Sequence, residues 1–471
     1  MTITDEAIAV PKVAFTTLGC PKNEVDTDLM RTALEDAGYY TCEYDSEQPG
    51  ETDPDIAAIV VNTCSFIQEA TEASIEAIFD ALNTGDGMSD DTKLPVIVAG
   101  CIVNRYADEL ADEMSEVTAL IKVGDTEALL RALSSCVPAP ASAPIARAQK
   151  QARSFEYLRI ADGCNRKCTF CTIPSIRGAY TSRQPDDILA QAENFVTAGT
   201  YELIVIAQDI GRYGSDLDTD ANLVSLIEQL AEIPKLKRLR LMYLQPEGLT
   251  DELLQTMAQN SKVVPYLEIP VQHIAPRVLK AMGRNPKDVQ SFETQLTKAR
   301  ELMPELAVRT TLIAGFPGET QEEFDQLCTF VDRMQFDYVG VFPYSPEEGT
   351  RAAQLPDQLD IDARLGRAQQ LRDVADSIGW QLAADRIGQS AEVLVEGFDE
   401  HEQALIARAA FQAPDIDGIV RVELPENMDK ESVIDEFFAP GKPNKCLQVE
   451  FTDVILYDMD AAIISSGEDV R

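Results

Sequence analysis

Two rhythms of apolar and polar positions alternate along most of the chain: short apolar runs of strand length, and longer stretches with helical periodicity. Val13–Thr17 is a short apolar strand running into Gly19-Cys20, and a helical pattern follows from Glu24 to Ala37, closed by Gly38. Ile56–Asn62 reads as a buried strand ending in Thr63-Cys64, with a helix from about Gln68 to Leu82 after it. Leu94–Ala99 is a third such strand, ending in Gly100-Cys101. This rhythm predicts a small doubly wound parallel sheet. Cys20, Cys64 and Cys101 each follow a strand directly, and open α/β sheets form their ligand sites at the carboxyl ends of strands. The three thiols are therefore placed to converge, although a single strand-end cysteine is ordinarily a buried core thiol.

Residues 137–151 are rich in Pro and Ala without apolar periodicity, as an interdomain linker would be. Beyond them six strands are predicted: Tyr157–Ala161, Glu202–Ala207, Lys237–Tyr243, Tyr266–Val271, Val308–Ala314 and Tyr338–Phe342. They alternate with helices at Pro185–Ala198, Asn222–Ala231, Asp251–Asn260, Asp288–Leu302 and Gln321–Met334, and a last helix, Ala363–Asp385, packs outside. Six βα units predict a partial, open-sided TIM-like barrel with its chemistry at the strand carboxyl ends. From about Ile387 the pattern changes to short strands at Ala391–Glu396, Ala404–Arg408, Ile419–Leu424, Leu447–Phe451 and Ile455–Tyr457, the signature of a small all-β barrel. The fold class is α/β, with domains at 1–136, 154–386 and 387–462 and a linker at 137–153.

Composition is that of a globular protein: the 471 residues are 45% hydrophobic and 25% charged. Charge changes the picture more. Eighty acidic residues against 40 basic ones give a formal net charge of -40, so nucleic acid and anionic membranes are repelled unless a local basic patch intervenes. The N-terminus is acidic and lacks the cationic and apolar segments of a signal peptide, and the longest apolar runs, such as Ile56–Val61, are far short of a bilayer span. No membrane association is expected, the location is expected to be cytoplasmic, and ten cysteines there are reduced thiols, metal ligands or catalysts.

Their spacing carries the chemistry. Cys164, Cys168 and Cys171 form C-x3-C-x2-C just after the first barrel strand. Three thiolates on a tight loop can each take one iron of a four-iron cluster, leaving the fourth open to a chelating cofactor. Zinc is the chemical rival, but a structural zinc site wants four ligands and no histidine is near; the chain has only His273 and His401.

With Phe170 before the last cysteine, this motif resembles that of the radical S-adenosylmethionine superfamily. The resemblance implies that Cys164, Cys168 and Cys171 hold a [4Fe-4S] cluster whose open iron S-adenosyl-L-methionine chelates, with Phe170 near the adenine. Ala207-Gln208-Asp209 stands after the second strand, where the superfamily contacts the methionine amino group, and Gly315-Phe316-Pro317-Gly318 after the fifth, where backbone approaches the adenosine. Gln208, Gly315 and Pro317 are thereby expected at the cofactor. Arg309, on the fifth strand, is a candidate for the cofactor carboxylate or for a structural ion pair. His273 is a low-ranked catalytic candidate at the end of the fourth strand, as proton carrier or substrate contact, with a satisfied polar role as the alternative. Arg166, Lys167, Arg177 and Arg183 form a local basic exception around the cluster loop, able to balance its charge or simply solvated.

Over essentially the whole chain, the order of a three-cysteine domain, radical barrel and small β-barrel resembles the methylthiotransferase family, whose terminal domain is a TRAM domain. The segments Thr17-Leu18-Gly19-Cys20-Pro21-Lys22-Asn23, Val61-Asn62-Thr63-Cys64-Ser65-Phe66 and Ala99-Gly100-Cys101 match its second cluster-binding site, which implies two [4Fe-4S] clusters. Gly19-Cys20-Pro21-Lys22-Asn23-Glu24, Ile173-Pro174-Ser175-Ile176-Arg177-Gly178 and Ala413-Pro414-Asp415-Ile416-Asp417-Gly418 resemble the branch that methylthiolates an aspartate β-carbon of ribosomal protein S-twelve, rather than the tRNA adenosine branch. Residues 388–471 carry 19 acidic and 6 basic residues. Such a barrel suits a basic ribosomal protein and argues against direct nucleic-acid binding. The branch also implies an external one-electron reductant. The alternatives are the tRNA enzyme and a non-enzymatic iron–sulfur or zinc module.

Overall fold

The computed structural model describes residues 10–44, 55–84, 93–138, 153–424, 433–438 and 446–464; most of the expected linker, 139–152, lies outside them. The chain forms two compact units. The first takes the described residues before Lys150 together with Gly163–Asn165 and Cys171–Ala179, and the second takes the remainder.

In the first unit, five parallel strands, β1 (Lys12–Thr17), β2 (Tyr40–Glu43), β3 (Ile56–Thr63), β4 (Val96–Gly100) and β5 (Ala119–Ile121), lie in the order β2-β1-β3-β4-β5. Burial on both faces explains why β3 and β4 read as unbroken apolar runs. Met30 and Leu34 of α1 (Pro21–Asp36) and Leu129 and Leu133 of α4 (Thr126–Cys136) cover one face, against Val13, Phe15 and Ile97. Ala77 and Ile78 of α2 (Gln68–Asn83) and Ile102 and Leu110 of α3 (Cys101–Glu113) cover the other, against Ala14, Ile59 and Val98. The pattern did not predict β2, β5 or α4. The two strands are edges of four and three residues with mixed exposure, too short to show a period. A five-residue helix, α5 (Ile173–Arg177), belongs to this unit and lies on α3.

The second unit contains the predicted six core strands in two parallel triplets. β10 (Arg238–Leu241), β9 (Glu202–Ile206) and β6 (Phe155–Arg159) form one; β11 (Tyr266–Gln272), β12 (Ala307–Ala314) and β13 (Tyr338–Pro343) form the other. A Leu239–Val263 bridge and the Leu244 amide on the Glu268 carbonyl (3.1 Å) join the triplets. A two-residue ribbon, β7 (Ala161–Asp162) and β8 (Thr181–Ser182), follows β6. Helices α6 (Pro185–Ala198), α7 (Leu223–Ala231), α8 (Asp251–Gln259), α9 (Pro276–Ala281), α10 (Pro286–Leu302) and α11 (Gln321–Met334) connect the strands, and α12 (Ile361–Ala384) packs on β13. One continuous apolar core runs from Leu158 to Ile378.

Strands β14 (Ser390–Asp399), β15 (Ala404–Ala409), β16 (Val420–Glu423), β17 (Cys446–Ile455) and β18 (Asp458–Ile463) close a barrel in the order β14-β15-β16-β18-β17. The strand expected at Ile455–Tyr457 is instead the last residue of β17 and the turn after it, with Leu456 at φ 58°. β18 follows it; Asp458 and Asp460, poor strand formers, alternate with fully buried Met459 and Ala461.

This barrel is joined to the amino ends of the core strands. Glu202, the first residue of β9, accepts from Arg240 (2.6 Å) and from Arg408 of β15 (2.8 Å), and Arg408 also meets Glu396 (2.8 Å). Asp417 accepts from the Tyr266 hydroxyl (2.6 Å) and from Arg309 (2.5 Å). Arg238 reaches Glu392 (3.0 Å), and Arg386 reaches Asp337 (2.5 Å).

Candidate functional site

The order β2-β1-β3-β4-β5 reverses direction between β1 and β3, which places a switch point, and so the ligand crevice, at the carboxyl ends of those strands. Cys20 stands just past β1, Cys64 directly after β3 and Cys101 directly after β4. Asn23 ties them together: its Oδ1 lies 3.6 Å from the Cys20 sulfur and 3.9 Å from that of Cys101, while its Nδ2 donates to the Leu18 and Thr63 carbonyls, both at 2.8 Å. Gly19 sits at φ +112°, where a Cβ would stand 2.7 Å from that of Cys64, so only glycine lets the two cysteine loops approach this closely. Burial pushes the Cys64 thiol up, and pushes Cys101 up to about 12 against the opposing charge of Arg177. Bare, these are neutral thiols; deprotonation requires a bound cation such as iron.

Of the second trio, Cys164 and Cys171 belong to the first unit and Cys168 to the second, all half-buried and in no disulfide. The loop needs Gly163 at φ +75°, because a Cβ there would lie 2.2 Å from the Ala179 carbonyl oxygen, and the Cys164 amide donates to the Gly178 carbonyl (3.1 Å). Cys168 lines a cleft of about 200 Å³ with Arg166, Lys167, Glu247 and Arg284.

The carboxyl ends of the core strands carry acceptors without partners. Gln208 donates through Nε2 to Asp162 (2.7 Å), but its buried Oε1 is unsatisfied, as are Oδ1 of Asp209 and Oε1 of Gln272. Arg166 fills the other oxygen of Asp209 from two nitrogens, at 2.9 and 2.7 Å. Tyr243 and Gln272 take φ 67° and 70°, a backbone strain that clusters at ligand sites. Buried orphan acceptors are rare, and these suit a cationic donor such as the amino group of S-adenosylmethionine. Among the described residues no three His, Cys, Asp or Glu are drawn tightly enough to hold one metal ion. Thiolates of an iron–sulfur cluster each bind a different iron, so a looser trio such as that of the first unit fits a cluster.

Phe170 packs against the cluster of Phe316, Tyr344 and Met282. Gly315, at φ +76°, would with a Cβ strike Arg364 at 2.8 Å, so the approach of α12 already demands glycine there; Pro317 is buried in the same turn. His273 is fully buried: Nδ1 accepts from the Ala275 amide (3.0 Å) and Nε2 meets Glu319 (3.2 Å), the satisfied polar role. Arg309 lies near the amino end of β12, committed to Asp417, so it is the structural ion pair rather than a cofactor ligand. Arg177 faces the first unit's trio instead of solvent, and His401 is exposed. Sequence reasoning missed Asn23, within a quoted motif, and Glu319, which gathers His273, the Gly315 amide (3.1 Å) and Arg367 (2.7 Å); its place after Gly-Phe-Pro-Gly was the available signal.

Comparison with known proteins matches three families in chain order: Uncharacterized protein family UPF0004 over residues 12–122, the Radical SAM superfamily over 158–331 and the TRAM domain over 387–464. Fold and site thus define a radical S-adenosylmethionine enzyme carrying a second three-cysteine domain and a terminal β-barrel. A ribosomal protein uS12 methylthiotransferase RimO of Trichlorobacter lovleyi is 40% identical over 88% of this chain and 93% of its own length. That of a Synechococcus strain is 36% identical over 98% and 96%. The chain belongs to the RimO methylthiotransferase family. Among solved structures, the radical S-adenosylmethionine methyltransferase TsrM of Kitasatospora setae, determined with tryptophan substrate and aza-SAM bound, matches 84% of this chain with a TM-score of 0.52 at 14% identity, a likeness of fold alone. No helix among the described residues is long and apolar enough to cross a membrane.

Proposed function

We propose that this protein transfers a methylthio group to the β-carbon of an aspartate in ribosomal protein uS12. The observation that carries this is the pairing of two three-cysteine sets in one chain with 36–40% identity to RimO enzymes over nearly its whole length. Cys164, Cys168 and Cys171 hold the core [4Fe-4S] cluster, and Cys20, Cys64 and Cys101 hold the second. Bound together, the clusters and S-adenosylmethionine supply the carbon-centred radical and the methylated sulfur that side chains cannot.

The residues of the chain bind and orient. Gln208, with its free Oε1 held in place by Asp162, receives the cofactor's amino group, and Phe170 lies by the adenine with Gly315 and Pro317 close to the adenosine. Arg166 occupies one oxygen of Asp209, while the other has no partner within the chain. An external one-electron reductant serves the core cluster, and the protein acts in the cytoplasm. Both arginines among the described strands of the terminal barrel are engaged, Arg408 with Glu202 and Arg421 with Asp460 (2.8 Å). Among the described residues little cationic surface is left for RNA, and residues 388–471 carry 19 acidic against 6 basic residues, which favours a basic protein substrate over tRNA.

Anaerobic reconstitution with S-adenosylmethionine and a reductant, offered purified uS12 or tRNA in parallel, tests the reading. The expected product is uS12 heavier by one methylthio group on an aspartate. Modification of adenosine alone would replace this reading with the tRNA one.

A further inference from the structure

Arg177 is carried by the segment that bears the core cysteines, six residues past Cys171, yet its side chain is buried at the other trio. α5, which it ends, is fastened to the first unit by Asn104 Nδ2 on the Ile176 carbonyl (2.7 Å) and by Thr172 on the Phe66 carbonyl (3.3 Å). The Arg177 side chain is 2% exposed, and Nη2 lies 2.7 Å from Asp26 Oδ2, 3.2 Å from Asn23 Oδ1 and 3.8 Å from the Cys101 sulfur. Removing a guanidinium from water is costly, and a buried ion pair is a poor source of stability. The position is better explained by the charge this cation meets when the neighbouring thiols are ionised.

We propose that Arg177 is a positioning residue for the sulfur to be transferred: anchored by Asp26 and Asn23, its guanidinium offsets the negative charge of the thiolate-bound second cluster and so favours a further anion, a thiolate or hydrosulfide, on the iron that three ligands leave open. The inference rests on Cys20, Cys64 and Cys101 being cluster ligands. Its physical basis is that charge-assisted contacts inside a protein are about twice as strong as neutral ones and that a buried charge is weakly screened.

The test uses the full chain with Cys164, Cys168 and Cys171 all changed to Ala, so that only the second cluster is reconstituted. Methanethiolate and, separately, neutral imidazole are titrated against it and followed by the spectrum of the reduced cluster. Arg177→Gln should keep the iron and imidazole affinity of the parent and bind methanethiolate about tenfold more weakly, with Arg177→Lys between the two. Asp26→Asn, which removes an anion but keeps the arginine, should bind methanethiolate no more weakly than the parent. Equal methanethiolate affinity in Arg177→Gln, equal losses for both ligands, or an Asp26→Asn loss as large as that of Arg177→Gln overturns the proposal while leaving the cluster in place. A parent without iron overturns the cluster assignment, and the proposal with it.

Discussion

The two ends of the same core strands are built to opposite ends. At the amino ends, Glu202, Arg238, Tyr266, Arg309 and Asp337 each bond a group of the terminal barrel or of the chain leading into it. At the carboxyl ends, Gln208, Asp209 and Gln272 hold buried oxygens with no partner, and Tyr243 and Gln272 are strained. Unpartnered buried atoms occur at both ends, since Nη1 of Arg238 and both Nη of Arg240 also have none; at the amino end they are surplus donors of arginines already paired with carboxylates, whereas at the carboxyl ends they are acceptors open to a cationic ligand. The terminal barrel thus braces the strands at one end and leaves the other to the chemistry, as TIM-like folds place stability at the amino face and active sites at the carboxyl face.

The largest effects expected lie with the cysteines. Cys168→Ala and Cys64→Ala should both drop uS12 modification to background, and each should lose about one cluster's iron. They should part on one measurement: cleavage of S-adenosylmethionine by a chemical reductant is lost in Cys168→Ala and kept in Cys64→Ala. Equal loss in both would mean that the two trios do not act separately. Loss of half-buried Cys168 should leave the stability of the apoprotein within about 1 kcal/mol.

Breaking the amino end should do the reverse. Burial alone would raise the Glu202 pKa, but Arg240 and Arg408 outweigh it and hold the carboxylate down at about 2. Glu202→Gln leaves Arg408 and Arg240 without their shared anion and should cost about 3–5 kcal/mol. Because the folded pKa lies below the ordinary 4.5, the stability Glu202 contributes is fully present above that value and is lost as pH falls from 4.5 towards 2. Denaturant unfolding across this window should show a steep loss in the parent and a flatter curve in Glu202→Gln. Parallel curves would show that the ion pair contributes no acid sensitivity.

Much of this was legible in the chain because periodicity and spacing are local properties. α6 (Pro185–Ala198) and α11 (Gln321–Met334) begin and end where a proline at the first turn, a Thr320 cap and an apolar stripe put them. The placing of the cysteines was legible too: Cys20, Cys64 and Cys101 stand past the ends of apolar runs, and Cys164, Cys168 and Cys171 share the loop after the first core strand. What stayed hidden depends on partners far away in the sequence. Arg309 reads the same whether it meets a cofactor or Asp417, which lies 108 residues later. Arg177 sits six residues from a core cysteine but takes its contacts from Asn23, Asp26 and Cys101. β18 was hidden for a different reason: Asp458 and Asp460 are poor strand formers, and their alternation with buried Met459 and Ala461 is too short to outweigh that.

The smallest expected effects make the sharpest contrast, because they come from a single hydroxyl and a single amide. Tyr266→Phe removes the 2.6 Å bond to Asp417 and keeps the ring beneath the Arg240 guanidinium, 4.7 Å away. A hydrogen bond to a charged acceptor is worth about 1.5–3 kcal/mol, so the melting temperature should fall by several degrees while the KM for S-adenosylmethionine stays put. Gln208→Ala removes an acceptor that the folded chain does not use, together with the 2.7 Å bond from its Nε2 to Asp162. It should raise that KM by about tenfold, the equivalent of about 1.4 kcal/mol, and lower the melting temperature by no more than Tyr266→Phe does. The two substitutions lie in the same sheet system, and each touches one hydrogen-bonding group. If Tyr266→Phe moved KM as far as Gln208→Ala does, the amino end would be part of the binding apparatus, and the division of labour between the two ends would fail.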